Sequence, residues 1–224
     1  MKIHDVAQGS IEWLTLRSQC VTASEVDNLL TDDGKPRTGQ MPLTYLHRKI
    51  AERWMGGPLP SFSGGAAEQG SILEADAIPW YSVRYGVDIE RPGFYTTDDG
   101  SLGCSPDGRL VGHDVGLEAK SPQPTNAVKW LLANECPKEH RLQVQCSMAV
   151  TGWKEWEFLS YSRSFPCLVV RVKRDDEMIA AIFAAVAVFR SKMAEAWDKL
   201  VAANGGEPVR VASVETVDDP GQPF

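Results

Sequence analysis

Two acids and an amine stand out by their spacing. Asp107 lies in Ser105-Pro106-Asp107-Gly108, and Glu118 and Lys120 follow in Leu117-Glu118-Ala119-Lys120. Side chains alternate along an extended chain, so Glu118 and Lys120 project to one face while Ala119 turns away, and an acid late in the preceding strand can meet them. Two carboxylates and the Ala119 carbonyl suit a hard ion such as Mg²⁺, which keeps several waters in octahedral coordination. One or two such ions neutralise charge and activate a water, and Lys120 would orient that water or stabilise the developing negative charge, so the set can hydrolyse a phosphodiester. S-P-D-G is also a good turn, and an exposed E-x-K is commonly a solvated strand face. From these residues alone the two readings stand level.

The elements that would carry them follow from periodicity and punctuation. Thr22-Ala23-Ser24-Glu25 has capping-box spacing and predicts a short helix from about Ser24 through Val26, Leu29 and Leu30. A second helix is expected from Pro42 to Gly56-Gly57, with Arg48, Lys49 and Arg53 on its outer face, and a third from about Glu68 to Tyr85 after a loop at 61–65. The middle of the chain reads as an antiparallel meander, with strands over 87–96, 102–111 and 116–120. Helices are expected over 124–133 and 138–150, and strands over 155–161 and 167–173. A last amphipathic helix opens at Asp175-Asp176-Glu177 and sets Ile179, Ile182, Phe183, Val186, Phe189, Met193, Trp197 and Leu200 toward the core. No internal repeat is visible. The expectation is an α/β (α+β) fold with a central mixed β-sheet flanked by helices, one domain over 1–206 and a flexible tail over 207–224.

Composition narrows the function. The chain has 224 residues, 43% of them hydrophobic, which is enough for a full core. It contains no run of roughly 18 to 20 apolar residues of the kind a membrane span needs, and its start lacks a signal peptide's apolar region, so no membrane role and a cytoplasmic location are expected. Five widely spaced cysteines without a C-x-x-C pair suggest reduced thiols in place of a disulfide framework or a zinc site. A net charge of −7 argues against sequence-blind coating of nucleic acid, so any DNA binding needs a local basic groove. Gly112-His113-Asp114 reads as a turn, because His113 has no partner at ligand spacing; His4, His47 and His140 are also unpaired, though His140 lies one helical step before Gln143.

Ordered motifs decide between the level readings. P-D…(D/E)-x-K is the pattern of the restriction-endonuclease-like nucleases. Here it is joined by Glu12-Trp13-Leu14-Thr15-Leu16-Arg17, Val21-Thr22-Ala23-Ser24-Glu25-Val26, Gly70-x-x-x-Glu74 and Gln143-Val144-Gln145-x-Ser147-Met148. In order and spacing, over roughly residues 5 to 155, the chain resembles the phage lambda exonuclease (YqaJ-like) family. The resemblance implies a restriction-endonuclease-like core, with Asp107 and Glu118 as metal-binding carboxylates, the Ala119 carbonyl as a further ligand, Lys120 as the catalytic lysine, Glu74 as an acid for a second metal and Gln143 beside the active site. It further maps Arg17, Ser24 and Ser105 onto a pocket for a 5′-terminal phosphate. Independently, a helix start with a first-turn hydroxyl and a nearby guanidinium reads as an anion site. Without the resemblance Ser24 would be a simple helix-start serine, Arg17 a surface ion pair, Glu74 a surface glutamate, and Gln143 with Gln145 one polar helix edge.

The activity implied is a Mg²⁺-dependent 5′-to-3′ exonuclease, with two ions and with Mn²⁺ as a substitute, acting on double-stranded DNA ends. Three copies would form a ring with Arg48, Lys49 or Arg53 lining its channel, working beside a single-strand annealing protein in phage recombination in a bacterial host. Two alternatives remain: a restriction-like endonuclease using the same residues, and a non-enzymatic DNA-end-binding module. The segment between Asp98-Asp99 and Cys104 is shorter than in the lambda enzyme, which leaves the role of Asp98 and Asp99 open.

Overall fold

Residues 1–60 and 76–208 are described by a computed structural model. In chain order they form β1 (Lys2–His4), α1 (Ile11–Ser18), β2 (Val21–Thr22), a 3-10 helix (Ala23–Asn28), α2 (Gln40–Met55) and α3 (76–85). Next come β3 (Ile89–Glu90), β4 (Phe94–Thr96), β5 (Leu102–Cys104), β6 (Gly108–Leu110) and β7 (Val115–Lys120). The chain continues with α4 (Pro124–Ala133), α5 (Lys138–Thr151), β8 (Glu155–Ser160), β9 (Leu168–Lys173) and α6 (Asp176–Asn204). The α/β class with mixed sheets between helices is as expected.

The expected meander divides between two sheets. One sheet has the order β1-β4-β5-β2 and the other β3-β6-β7-β8-β9. Each long strand expected from the sequence breaks at a proline: Arg91-Pro92-Gly93 separates β3 from β4, and Ser105-Pro106-Asp107 separates β5 from β6. Proline cannot donate to a ladder, so at each break the chain leaves one sheet for the other. β6 and β7 do pair antiparallel, with Gly108 opposite Leu117. β7 and β8 run parallel, and α4 and α5 form the crossover that parallel neighbours require.

Alternation along β7 divides its side chains between two cores. Val115, Leu117 and Ala119 pack with Ala77, Ile78 and Tyr81 of α3. Gly116 and Glu118 face the other way, toward α5, where Trp156 and Phe158 of β8 join the larger core. Helix α5 runs through that core and is buried on nearly every side from Leu142 to Thr151. Its buried hydroxyls are satisfied one turn back: Ser147 donates to the Gln143 carbonyl and Thr151 to the Ser147 carbonyl.

Helices α2 and α6 pack through aromatic pairs, Tyr45 on Phe189 at 5.1 Å and Trp54 against Trp197 at 5.6 Å. α6 is capped as its sequence predicts: the Asp175 carboxylate accepts from the Met178 amide, Asp176 and Glu177 fill the first turn, and Gly205 closes the end in the left-handed conformation. Its buried stripe is narrower than expected, however. Phe183 and Leu200 are exposed, because the buried row runs through their neighbours Ile182, Val186, Phe189 and Trp197.

The short helix near Ser24 also differs from expectation. It is a six-residue 3-10 helix, and Thr22 at its N-cap makes no side-chain cap bond. The Thr22 hydroxyl instead donates to the Glu25 carboxylate at 3.1 Å. Lys49 on α2 is likewise buried, contrary to the outward position expected for it, because its ammonium donates to the Arg17 carbonyl at 2.7 Å. The residues 61–65 expected to form a loop, the expected start of the third helix with Glu74, and the tail from 209 lie outside the described residues.

Candidate active site

Strand β6 ends where the site begins. Gly108 is its first residue, and just before it the Asp107 amide still donates to the Leu117 carbonyl at 3.1 Å. One step further the backbone ladder is replaced by a side chain, since the Ala119 amide donates to Asp107 Oδ2 at 2.8 Å. Peptide groups alternate between the two edges of a strand, so the Ala119 carbonyl points to this same edge, at the place where β6 has stopped. On the α5 face, Lys120 Nζ lies 2.5 Å from Glu118 Oε1, and Gln143 Nε2 donates to that same oxygen at 2.5 Å. Glu118 is only 2% exposed, and these two partners satisfy its buried Oε1.

Asp107, Glu118, Lys120 and Gln143 line one cavity of about 160 Å³. Their donor set, two carboxylates beside a peptide carbonyl, is all hard oxygen and fits a magnesium-sized cation that retains water. Among the described residues no group of three His, Cys, Asp or Glu side chains is gathered to hold an ion, so the fit rests on two acids and the backbone.

The same cavity is also lined by Arg17, Ser24 and Ser105, with Gln8 and Trp13. The Arg17 guanidinium stacks on the Trp13 ring at 4.4 Å and donates to Ser24 Oγ at 3.0 Å. Trp13 and Arg17 are four residues apart on α1, which puts both on one face of the helix. Ser105 is a hub, accepting from Gln8 Nε2 at 2.9 Å and Trp13 Nε1 at 3.1 Å and donating to the Gly93 carbonyl at 3.0 Å. One proton and two lone pairs are thereby used, so Ser105 anchors the wall of the cavity. The sequence reading assigned no role to Gln8 or Trp13; the four-residue spacing of Trp13 and Arg17 was the available signal for the tryptophan, and Gln8 had none.

Other expected residues fall elsewhere. Gln145 points away from Gln143, because residues two apart on a helix do not share a face. It is buried, donates to the Lys173 carbonyl at 2.8 Å and accepts from the Asp175 amide at 2.9 Å. Asp98 and Asp99 do not line this cavity. Asp99 orders its own turn through Thr97 and Ser101 and pairs with Arg190 at 2.8 Å; the Thr97 hydroxyl, more than any other group, holds its carboxyl down to about 2. His140 stacks on Phe158 at 5.5 Å and meets Trp130 edge-on at 5.2 Å. Burial, then the Lys120 charge, lowers its pKa, which keeps the ring neutral behind the site. His113 sits in a turn, as read. The five cysteines are free thiols, and burial pushes the Cys20 and Cys136 thiols up to about 12.

Known structures share this architecture. The crystal structure of LHK-Exo in complex with dAMP is similar at 26% identity and TM-score 0.79, covering 88% of this chain and 98% of that one. A second structure of that alkaline exonuclease, from Laribacter hongkongensis, matches at 24% identity and TM-score 0.77 over the same shares. A phage-related exonuclease from Haemophilus somnus 129PT shares the fold at 14% identity and TM-score 0.59, with 83% of this chain and 96% of that one covered. Among curated proteins no sequence match is found. The family model of the YqaJ-like viral recombinase domain matches residues 12–154, more than half of the chain and the whole stretch from Trp13 to Gln143, so the chain belongs to the YqaJ-like viral recombinase family.

Proposed function

We propose that this nuclease is a Mg²⁺-dependent 5′-to-3′ exonuclease that degrades one strand of linear double-stranded DNA from a 5′-phosphorylated end, releasing mononucleotides and leaving a 3′ overhang. One observation carries the reading: acids and an amine suited to phosphodiester hydrolysis share a single small cavity with a guanidinium suited to a phosphate. The relative crystallised with dAMP supports it, since dAMP belongs to the product class such an enzyme would release.

Asp107, Glu118 and the Ala119 carbonyl would hold Mg²⁺, with Glu74 as a further acid for a second ion and with Mn²⁺ as a substitute. The bound metal supplies charge neutralisation at the scissile phosphate and a more acidic water. Gln143 keeps Glu118 oriented through its 2.5 Å hydrogen bond. Lys120 holds the attacking water or the charge that develops on the phosphate. Arg17 receives the terminal phosphate, Ser24 orients Arg17 by accepting from its guanidinium, and Ser105 braces Trp13 and Gln8 around the phosphate. With that phosphate seated, the next phosphodiester lies among the acids, so each cut frees one nucleotide. By family resemblance three copies form a ring around DNA in the cytoplasm of a bacterial host, and the 3′ overhang passes to a single-strand annealing protein.

The test uses linear duplexes with 5′-phosphate or 5′-hydroxyl ends, together with covalently closed circles, in Mg²⁺. Release of 5′-mononucleotides, fastest from the phosphorylated ends, with the circles left intact, is expected. Nicking or linearisation of the circles would replace this reading with that of an endonuclease.

A further inference from the structure

The Arg17 wall of the cavity stands on a closed circuit of polar contacts. Arg17 donates to Ser24 Oγ at 3.0 Å, the Ser24 and Thr22 hydroxyl oxygens lie 3.2 Å apart, and Thr22 donates to Glu25 Oε2 at 3.1 Å. That carboxylate oxygen lies 3.8 Å from Lys49 Nζ, which donates to the Arg17 carbonyl at 2.7 Å. A guanidinium can only donate and a carboxylate can only accept, so Ser24 must donate to Thr22 and both hydroxyl orientations are set. The circuit begins and ends on one residue. Glu25 holds the Arg17 side chain through two hydroxyls and the Arg17 backbone through an ammonium.

The parts are built for that task. The Arg17 carbonyl lies in the last turn of α1, where carbonyls lack partners within the helix, and Lys49 reaches it from α2. Lys49 is 3% exposed, and a buried ammonium is tolerated only when paired; besides Glu25 it has Glu52 at 3.1 Å. Glu25 is held in turn by Arg48 and by the Tyr45 hydroxyl at 3.3 Å. Burial works to raise the Glu25 pKa, and the charges of Lys49, Arg48 and Arg17 outweigh it, so the carboxyl sits below its ordinary value.

Resting on the proposed reading of this wall as a phosphate seat, we infer that Glu25, Thr22 and Lys49 are positioning residues that set the preference for phosphorylated over hydroxyl ends. An arginine that loses its orientation keeps its charge and loses the geometry of paired N–H contacts on which phosphate recognition depends. Selectivity between the two ends therefore depends on residues that never touch the DNA.

Two variants test this in the full chain: Glu25→Gln, which removes the charge, and Thr22→Val, which cuts the hydroxyl link and leaves every charge in place. For each, kcat and KM are measured on 5′-phosphorylated and 5′-hydroxyl duplexes, with a thermal melt as the control for folding. The expected result is that the ratio of kcat/KM between the two ends falls about ten-fold, mainly through KM on the phosphorylated end, the scale of a lost charge-assisted contact. An unchanged ratio in a folded variant overturns the inference, as does an equal loss on both ends, which a purely structural role would produce. If Glu25→Gln fails to fold, Thr22→Val decides alone. Wild-type protein indifferent to the end group removes the phosphate seat itself, and with it this inference; wild-type preference retained in the variants removes only the inference.

Discussion

In the proposed reading Glu118 concentrates the chemistry, because three constraints meet at one residue. It is buried, it bonds Lys120 and Gln143 through a single oxygen, and its strand neighbour Ala119 is tied to Asp107. Replacing Asp107 or Glu118 with alanine removes half of the side-chain charge available to a cation. Turnover is expected to fall by about 10³-fold or more, the scale seen when preorganised electrostatic stabilisation is removed, while DNA binding measured by gel shift survives. Cleavage retained in either variant would refute the metal assignment. At this scale the acids and the lysine were legible in the sequence, because alternation along a strand is a local rule. Gln8 was not, since its contact with Ser105 spans 97 residues.

At the scale of elements, β7 is the spine of the site, and its neighbour β8 constrains it from the side. Gly116 pairs with Trp156, and a Cβ on Gly116 would lie 2.4 Å from the Trp156 ring. Trp156 is fully buried and has no room to withdraw. Gly116→Ala should therefore destabilise the protein by about 1–3 kcal/mol, the usual range for overpacking a core, which for a chain of this length lowers Tm by about 2–4 °C per kcal/mol. A thermal melt checks it, and an unchanged Tm would mean that the strand pair yields freely. Most of the long helices were read well from the sequence because caps and apolar spacing are local signals: α4, α5 and α6 begin within a residue or so of their expected starts, whereas α1 (Ile11–Ser18) was not expected at all. The strands were read less well, since Pro92 and Pro106 mark breaks without saying which sheet each half joins.

On the scale of the whole molecule, the net charge of −7 is compatible with DNA binding only if the remaining positive charge is well placed. Much of it is engaged internally: Arg48 with Glu25, Lys49 with Glu25 and Glu52, Arg171 with Glu155 and Glu157, and Arg190 with Asp99. Arg53 stacks on Trp197 at 3.9 Å. With Lys49 buried, a channel lined by Arg48 and Arg53 of a single copy would be weakly basic, and a ring of three copies would concentrate what remains. Light scattering should give the mass of three chains, and a mass near one chain would end the ring proposal. By itself the sequence determined the family, the candidate residues of the site and most helices, because these depend on motif order and on periodicity within a few turns of chain. Only the tertiary structure decided that Lys49 faces inward, that Thr22 serves Glu25 in place of a helix cap, and that Arg17 shares a cavity with Glu118. Each of those outcomes depends on which distant groups can satisfy a buried charge, and spacing along the chain carries no record of that.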